Sequence, residues 1–131
     1  FINLKNHKYK ISYNNSVVNE KLLILASAAS KYTGGGMLIA PDALKEKKKI
    51  NLLFAHKANR FEAFNLLMKV FSGQHLHHQL VKSSHSKCVK ISTSSKNSWA
   101  GLVYGDGEFL GNLPILTSLG TEKLLVLVPK V

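Results

Sequence analysis

The sequence predicts a mainly β domain, an antiparallel β-sandwich or flattened barrel carrying one amphipathic α-helix, and three observations support that expectation. Short runs of alternating apolar and polar residues recur along the 131-residue chain, separated by Asn, Ser, Gly and Pro. Only the segment from Arg60 to Phe71 places its apolar residues at helical spacing. The apolar fraction of 45% suffices for one buried core. Many short strands with one helix favour sheet packed on sheet, or a sheet closed on itself, so residues 1–131 read as a single domain.

In chain order, Phe1-Ile2-Asn3-Leu4 reads as part of a strand, which suggests a piece of a longer chain. Tyr9 to Tyr13 alternates, Asn14-Asn15-Ser16 supplies turn chemistry, and Val17-Val18 resumes the extended pattern, predicting a hairpin. Leu22-Leu23-Ile24-Leu25-Ala26 is too short for a buried helix and reads as a strand covered on both faces. Met37 to Ala40 runs into a turn at Pro41-Asp42, and Ile50, Leu52 and Phe54 mark another strand. The helix follows. Asn59 with Glu62 three residues later is a capping-box pattern, and Gly73 is a stop signal. Phe61, Phe64, Leu67, Met68 and Phe71 form its apolar stripe, expected to face the core. Further short strands are expected at residues 79–83, 87–93, 99–104, 108–110, 115–118 and 124–128, with a polar loop at residues 92–98.

The formal charge of +11 favours an anionic partner: nucleic acid, a phosphate-bearing substrate or an acidic membrane surface. The Lys45-Glu46-Lys47-Lys48-Lys49 cluster reads either as a solvated loop or as a membrane contact. Aromatic residues are not interleaved with Lys or Arg as stacking platforms would require, so nucleic acid is the weaker expectation. No apolar run approaches the roughly 20 residues of a membrane span. The single cysteine, Cys88, alternates like a strand residue and fits a reducing compartment.

Three constellations could carry chemistry. His75, His77, His78 and His85 lie close in sequence, but without a helical His pair or a nearby carboxylate they fit a polar loop better than a zinc shell. Gly34-Gly35-Gly36 lacks the Gly-Lys-Ser/Thr ending of a phosphate loop, and Gly105, Gly107 and Gly111 miss the dinucleotide spacing by one residue. The third is Asp106-Gly107-Glu108, which holds two of the chain's seven carboxylates in a glycine-rich turn. It reads either as a solvated hairpin turn or as a base for transfer to a hydroxyl.

Four stretches, in order, resemble the C-terminal domain of the bacterial diacylglycerol kinase and YegS-like lipid kinases, relatives of the sphingosine kinases. They are the segment Lys31-Tyr32-Thr33-Gly34-Gly35-Gly36-Met37-Leu38-Ile39-Ala40-Pro41-Asp42-Ala43, residues Lys69 to Leu76, Asp106-Gly107-Glu108 ahead of Gly111 and Pro114, and Leu125 to Pro129. The resemblance implies a β-sandwich domain preceded by an ATP-binding α/β domain that lies outside this chain. A lipid such as diacylglycerol would be phosphorylated between the two. By the same resemblance Glu108 is the proton acceptor and Asp106 supports it, ATP and Mg²⁺ are held mainly by the other domain, and the location is cytoplasmic, peripheral at the inner membrane face. The isolated chain would be inactive. The family's structural-metal positions match Leu44, Lys47 and Lys49, so a lysine replaces the metal's carboxylate and no metal is expected. The Lys47 ammonium is then expected to tie the loop down. Ala29-Ser30 replaces an Asn-Gly common in the family. The alternative is a non-catalytic basic module that binds anionic lipid or nucleic acid.

Overall fold

The computed structural model describes residues 6–43, 45–96 and 98–121. The strands expected at residues 1–4 and 124–128, the family segment at 125–129 and Leu44 lie outside that description.

The two long early strands, β1 (His7–Tyr13) and β2 (Ser16–Ala28), form the expected hairpin. Asn14 and Asn15 take φ of 49° and 60°, the left-handed pair that a two-residue type I′ turn requires and that Asn tolerates. The apolar run at residues 22–26 is not a separate strand but the second half of β2. It is also less covered than expected, because a register shift between Leu22 and Ile24 turns Ile24 outward, leaving it 50% exposed. β3 (Ile50–His56) follows, then β4 (Val81–Ser86), β5 (Cys88–Thr93) and β8 (Ile115–Ser118). All join one antiparallel sheet in the order β4-β3-β2-β1-β5-β8. A separate two-stranded ribbon pairs β6 (Leu102–Gly105) with β7 (Glu108–Asn112).

Two sheets and one helix make a sandwich-like domain, and β4 and β8 remain opposite edges of the large sheet, so it does not close into a barrel. Three expected strands start later than their sequences suggest. Residues 79 and 80 precede β4, residue 87 precedes β5, and Trp99 sits in a 3₁₀ turn (Ser98–Gly101) ahead of β6. Among the described residues no helix is long and apolar enough to cross a membrane.

One face of the large sheet, here the ribbon face, carries the main core. Ile11, Leu22, Leu52 and Val89 have no exposed surface. At roughly 1.5–3 kcal/mol for each fully buried side chain, these residues anchor the sheet. The opposite face receives α1 (Arg60–Val70), through Leu66 and Ala63 packed on Leu53, Val81, Leu23 and Ala26.

The capping box is formed: Asn59 Oδ1 accepts from the Glu62 amide at 2.9 Å, and Glu62 Oε2 accepts from the Asn59 amide at 2.7 Å. The aromatic stripe, however, does not face the core. Phe61 is 89% exposed and Phe64 64%, and Leu67, Met68 and Phe71 are each more than half exposed. The sequence misleads because both faces of the helix hold apolar residues. Ala63, Leu66 and Val70 are small or branched enough to sit close against a sheet, and they occupy the buried side.

Candidate functional site

The segment between β2 and β3 builds one wall of the site. Thr33 and Met37 pair across the triple glycine with amide-to-carbonyl distances of 3.0 and 3.1 Å, and Gly35 and Gly36 take φ of 63° and 86°. The glycines therefore make a tight backbone turn. Past the turn, two histidines hold the chain by its carbonyls. His75, 2% exposed, donates from Nε2 to Ile39 O at 2.9 Å, and His85 Nε2 donates to Asp42 O at 2.7 Å.

The four histidines are thus dispersed. His77 is exposed, while His78 Nδ1 accepts from the Leu80 amide at 3.3 Å. Among the described residues no group of three or more His, Cys, Asp or Glu is arranged to hold a metal. Sequence reasoning missed the loop-clamping role of His75. Its position two residues after Gly73 was the available signal, because the left-handed Gly73 (φ 74°) starts the 3₁₀ turn that points His75 inward.

The loop after Pro41 does not fit a divalent cation. Asp42 pairs with Lys45 at 2.6 Å, and Glu46 pairs with Lys49. The hydrogen bond from Lys49 holds the Glu46 carboxyl below the usual range, and the nearby His85 ring adds to the effect. Both nearby carboxylates are therefore committed to ammonium groups. Lys47 itself stands exposed, and the tie expected of it is made by Lys45 and Lys49.

The other wall is the β6–β7 ribbon. Gly105 pairs with Glu108 across the two-residue turn Asp106-Gly107, with φ of 50° and 86°, a type I′ hairpin of the Asp-Gly kind. Tyr104 and Phe109 stack edge to face beside it at 5.7 Å. Between ribbon, loop and sheet lies a cavity of about 500 Å³. Its lining is mixed, with apolar Leu25, Ile91, Leu113 and Ile115 beside polar Thr33 and Asp106. Ala29 and Ser30 also line it, so the position that departs from the family pattern belongs to the cavity wall.

The structure therefore brings together two of the sequence-singled segments, the triple-glycine loop and the Asp106 turn. Glu108 is exposed at the first position of β7 and is not among the lining residues. Among the described residues neither Asp106 nor Glu108 spends its carboxylate on a hydrogen bond or ion pair.

Residues 1–128 match the family model of the YegS C-terminal NAD kinase beta sandwich-like domain. The chain belongs to that family. Two curated relatives, each named diacylglycerol kinase and coming from Mycobacterium tuberculosis strains CDC 1551 / Oshkosh and ATCC 25618 / H37Rv, are 30% identical over 97 residues. That alignment covers 74% of this chain and 30% of each relative, so the chain spans under a third of their length. A crystal structure of a diacylglycerol kinase from Bacillus anthracis str. Sterne shares the fold at a TM-score of 0.60 and 15% identity, over 88% of this chain and 41% of that one. Another structure from the same organism gives 0.64 at 17% identity, over 90% and 38%. The YegS-like chain therefore has the expected sandwich fold, and the family resemblance in its motifs is shown.

Proposed function

We propose that this chain is the lipid-side domain of an ATP-dependent lipid kinase, which transfers the γ-phosphate of ATP to a lipid hydroxyl such as that of diacylglycerol. The observation that carries the reading is the cavity, which brings apolar side chains such as Leu25, Ile91 and Ile115 together with Asp106. Such a lining suits a molecule with a long apolar body and a single reactive hydroxyl at its polar end. The names of the curated relatives support the same chemistry.

In this reading Glu108 takes the hydroxyl proton as the hydroxyl oxygen attacks the γ-phosphorus. The products are a lipid phosphate monoester and ADP. Asp106 orients the polar end of the lipid. ATP and its Mg²⁺ would be held mainly by the part of the protein outside this chain.

In the full-length protein, Glu108→Gln should lower kcat by about 10²–10⁴-fold, the usual worth of a positioned base, with little change in the KM for ATP. Asp106→Asn should act chiefly on the KM for lipid. Normal turnover of Glu108→Gln would remove Glu108 from the role of base.

A further inference from the structure

We propose that Tyr9 is a specificity residue of the cavity: its hydroxyl donates a hydrogen bond to an acyl-ester carbonyl of the bound lipid, so the site prefers an ester-linked glycerolipid to an ether-linked one. This rests on the lipid reading of the cavity and deepens it by naming the linkage.

Tyr9 stands two residues before Ile11 on β1, so it lies on the ribbon face with the main core. Its side chain packs against that core and lines the cavity, together with Leu25, Ile91 and Ile115. The polar neighbours that the sheet sets beside it are already engaged. Its cross-strand partners are Glu20 on β2 and Thr93 on β5. Glu20 pairs with His56 at 3.3 Å, while Thr93 Oγ1 donates to Lys8 O at 2.7 Å and accepts from the Ser95 amide at 3.1 Å. Among the described residues the Tyr9 hydroxyl has no hydrogen-bond partner.

Burial alone raises the phenol above its ordinary value, with no charged or hydrogen-bonded neighbour contributing. The group therefore stays a neutral O–H donor at physiological pH. Unpartnered polar atoms sealed from solvent are found on Asn6, Asn51, His75 and Thr117 and not on Tyr9, so its oxygen remains reachable. A half-buried donor left unmade costs free energy, which an acceptor in the cavity would recover.

The lining decides what that acceptor is. Among the described residues no Lys, Arg or His lines the cavity, and its one carboxylate is Asp106. An anionic acceptor, phosphate or carboxylate, would meet an acid and no countercharge. The acceptor is then a neutral group on a molecule with an apolar body. In a glycerolipid with a free hydroxyl, the strongest neutral acceptors are the ester carbonyls, which stand a few bonds from that hydroxyl. Asp106 is exposed on the ribbon turn and Tyr9 is half-buried on the sheet, so the two contacts read the hydroxyl and the linkage at different depths.

The test uses the full-length protein that carries this chain and two short-chain lipids, dioctanoylglycerol and its ether analogue dioctylglycerol, which differ only in the carbonyls. Equilibrium binding is measured first, and lipid phosphate formed from ATP second. The wild-type protein should bind the ester about 5–30-fold more tightly, the worth of one hydrogen bond to a group otherwise left unpaired. In Tyr9→Phe the two lipids should bind within about twofold of each other, with the change falling on the ester. A purely structural role for Tyr9 would weaken both lipids alike. Tyr13→Phe, which removes a phenol that packs on Phe54 outside the cavity lining, should keep the wild-type ratio. Thermal midpoints confirm folding of both variants.

The proposal is overturned by equal binding of the two lipids to the wild-type protein, by a ratio that Tyr9→Phe leaves intact, or by tighter binding of a long-chain amino alcohol, whose ammonium would pair with Asp106. Binding of neither lipid overturns it together with the lipid reading. A Tyr9-dependent ratio without any lipid phosphate formed supports this contact and removes the kinase reading instead.

Discussion

Gly73→Ala tests how the helix end and the site loop are locked together. Gly73 has φ of 74°, and a Cβ built on it would lie 2.9 Å from Leu38 Cδ2 and 3.0 Å from Pro41 Cγ. The left-handed backbone costs a side-chain-bearing residue about 1–2 kcal/mol. The contacts add about 1–3 kcal/mol as overpacking, because Leu38 can rotate away whereas the Pro41 ring cannot. Alanine recovers about 0.4–1 kcal/mol by restricting the unfolded chain, which leaves a net loss of about 1–4.5 kcal/mol.

Two other glycines separate these contributions. Gly35 has φ of 63° with nothing within 4 Å of its Cβ position, so Gly35→Ala carries the backbone cost alone. Gly101 has neither strain nor contact, so Gly101→Ala should be neutral or slightly stabilising. Urea unfolding of the three variants measures all of this. The difference between Gly73→Ala and Gly35→Ala should be about 1–3 kcal/mol. Equal losses would refute the close packing of the helix end against the loop.

Three further outcomes follow from the same structure. Leu66→Ala, at 7% exposure, should cost about 2–4 kcal/mol, whereas Phe64→Ala, at 64%, should change stability by less than about 0.5 kcal/mol in chemical denaturation. Asn59→Ala removes the side-chain acceptor of the capping box while leaving the Asn59 backbone N–H to Glu62, and should cost about 0.5–2 kcal/mol, read as a lower thermal midpoint. Burial raises the Tyr9 phenol above its ordinary value. A raised folded value means the contribution is intact below the unfolded pKa of about 10 and is lost as pH rises through the folded one. Alkaline unfolding should therefore shift to higher pH in Tyr9→Phe.

Much of the sheet was legible because its signals are local. The Asn14-Asn15 turn, the alternation in β3 and β5, the bounds of β8 and the Asn59 cap all depend on neighbours in sequence. What escaped depends on tertiary partners. The helix stripe was assigned to the core by size and spacing, yet the sheet beneath accepts Ala63, Leu66 and Val70. The register shift that turns Ile24 outward leaves no mark in an unbroken apolar run. At the candidate site, two of the motif segments line one cavity, but the sequence could not show that His75 and His85 reach the carbonyls of Ile39 and Asp42 from 36 and 43 residues away.

The two carboxylates of the ribbon turn differ in how far the fold accounts for them. Asp106 occupies a left-handed position of a type I′ turn, where Asp is among the few side chains tolerated, so turn geometry alone is reason for an Asp there. Glu108 has no such reason. It opens a strand, where Glu is disfavoured, it pairs with a glycine, and among the described residues its carboxylate meets neither a donor nor a cation. Among the described acids, Asp42, Glu46, Glu20 and Glu62 each engage a partner, which leaves Asp106 and Glu108 as the two uncommitted carboxylates. The fold explains Asp106 and leaves Glu108 unexplained. A residue on a hairpin that the fold does not require is the better candidate for chemistry with a group supplied from outside the chain, and that is the ground on which Glu108 rather than Asp106 is proposed as the base.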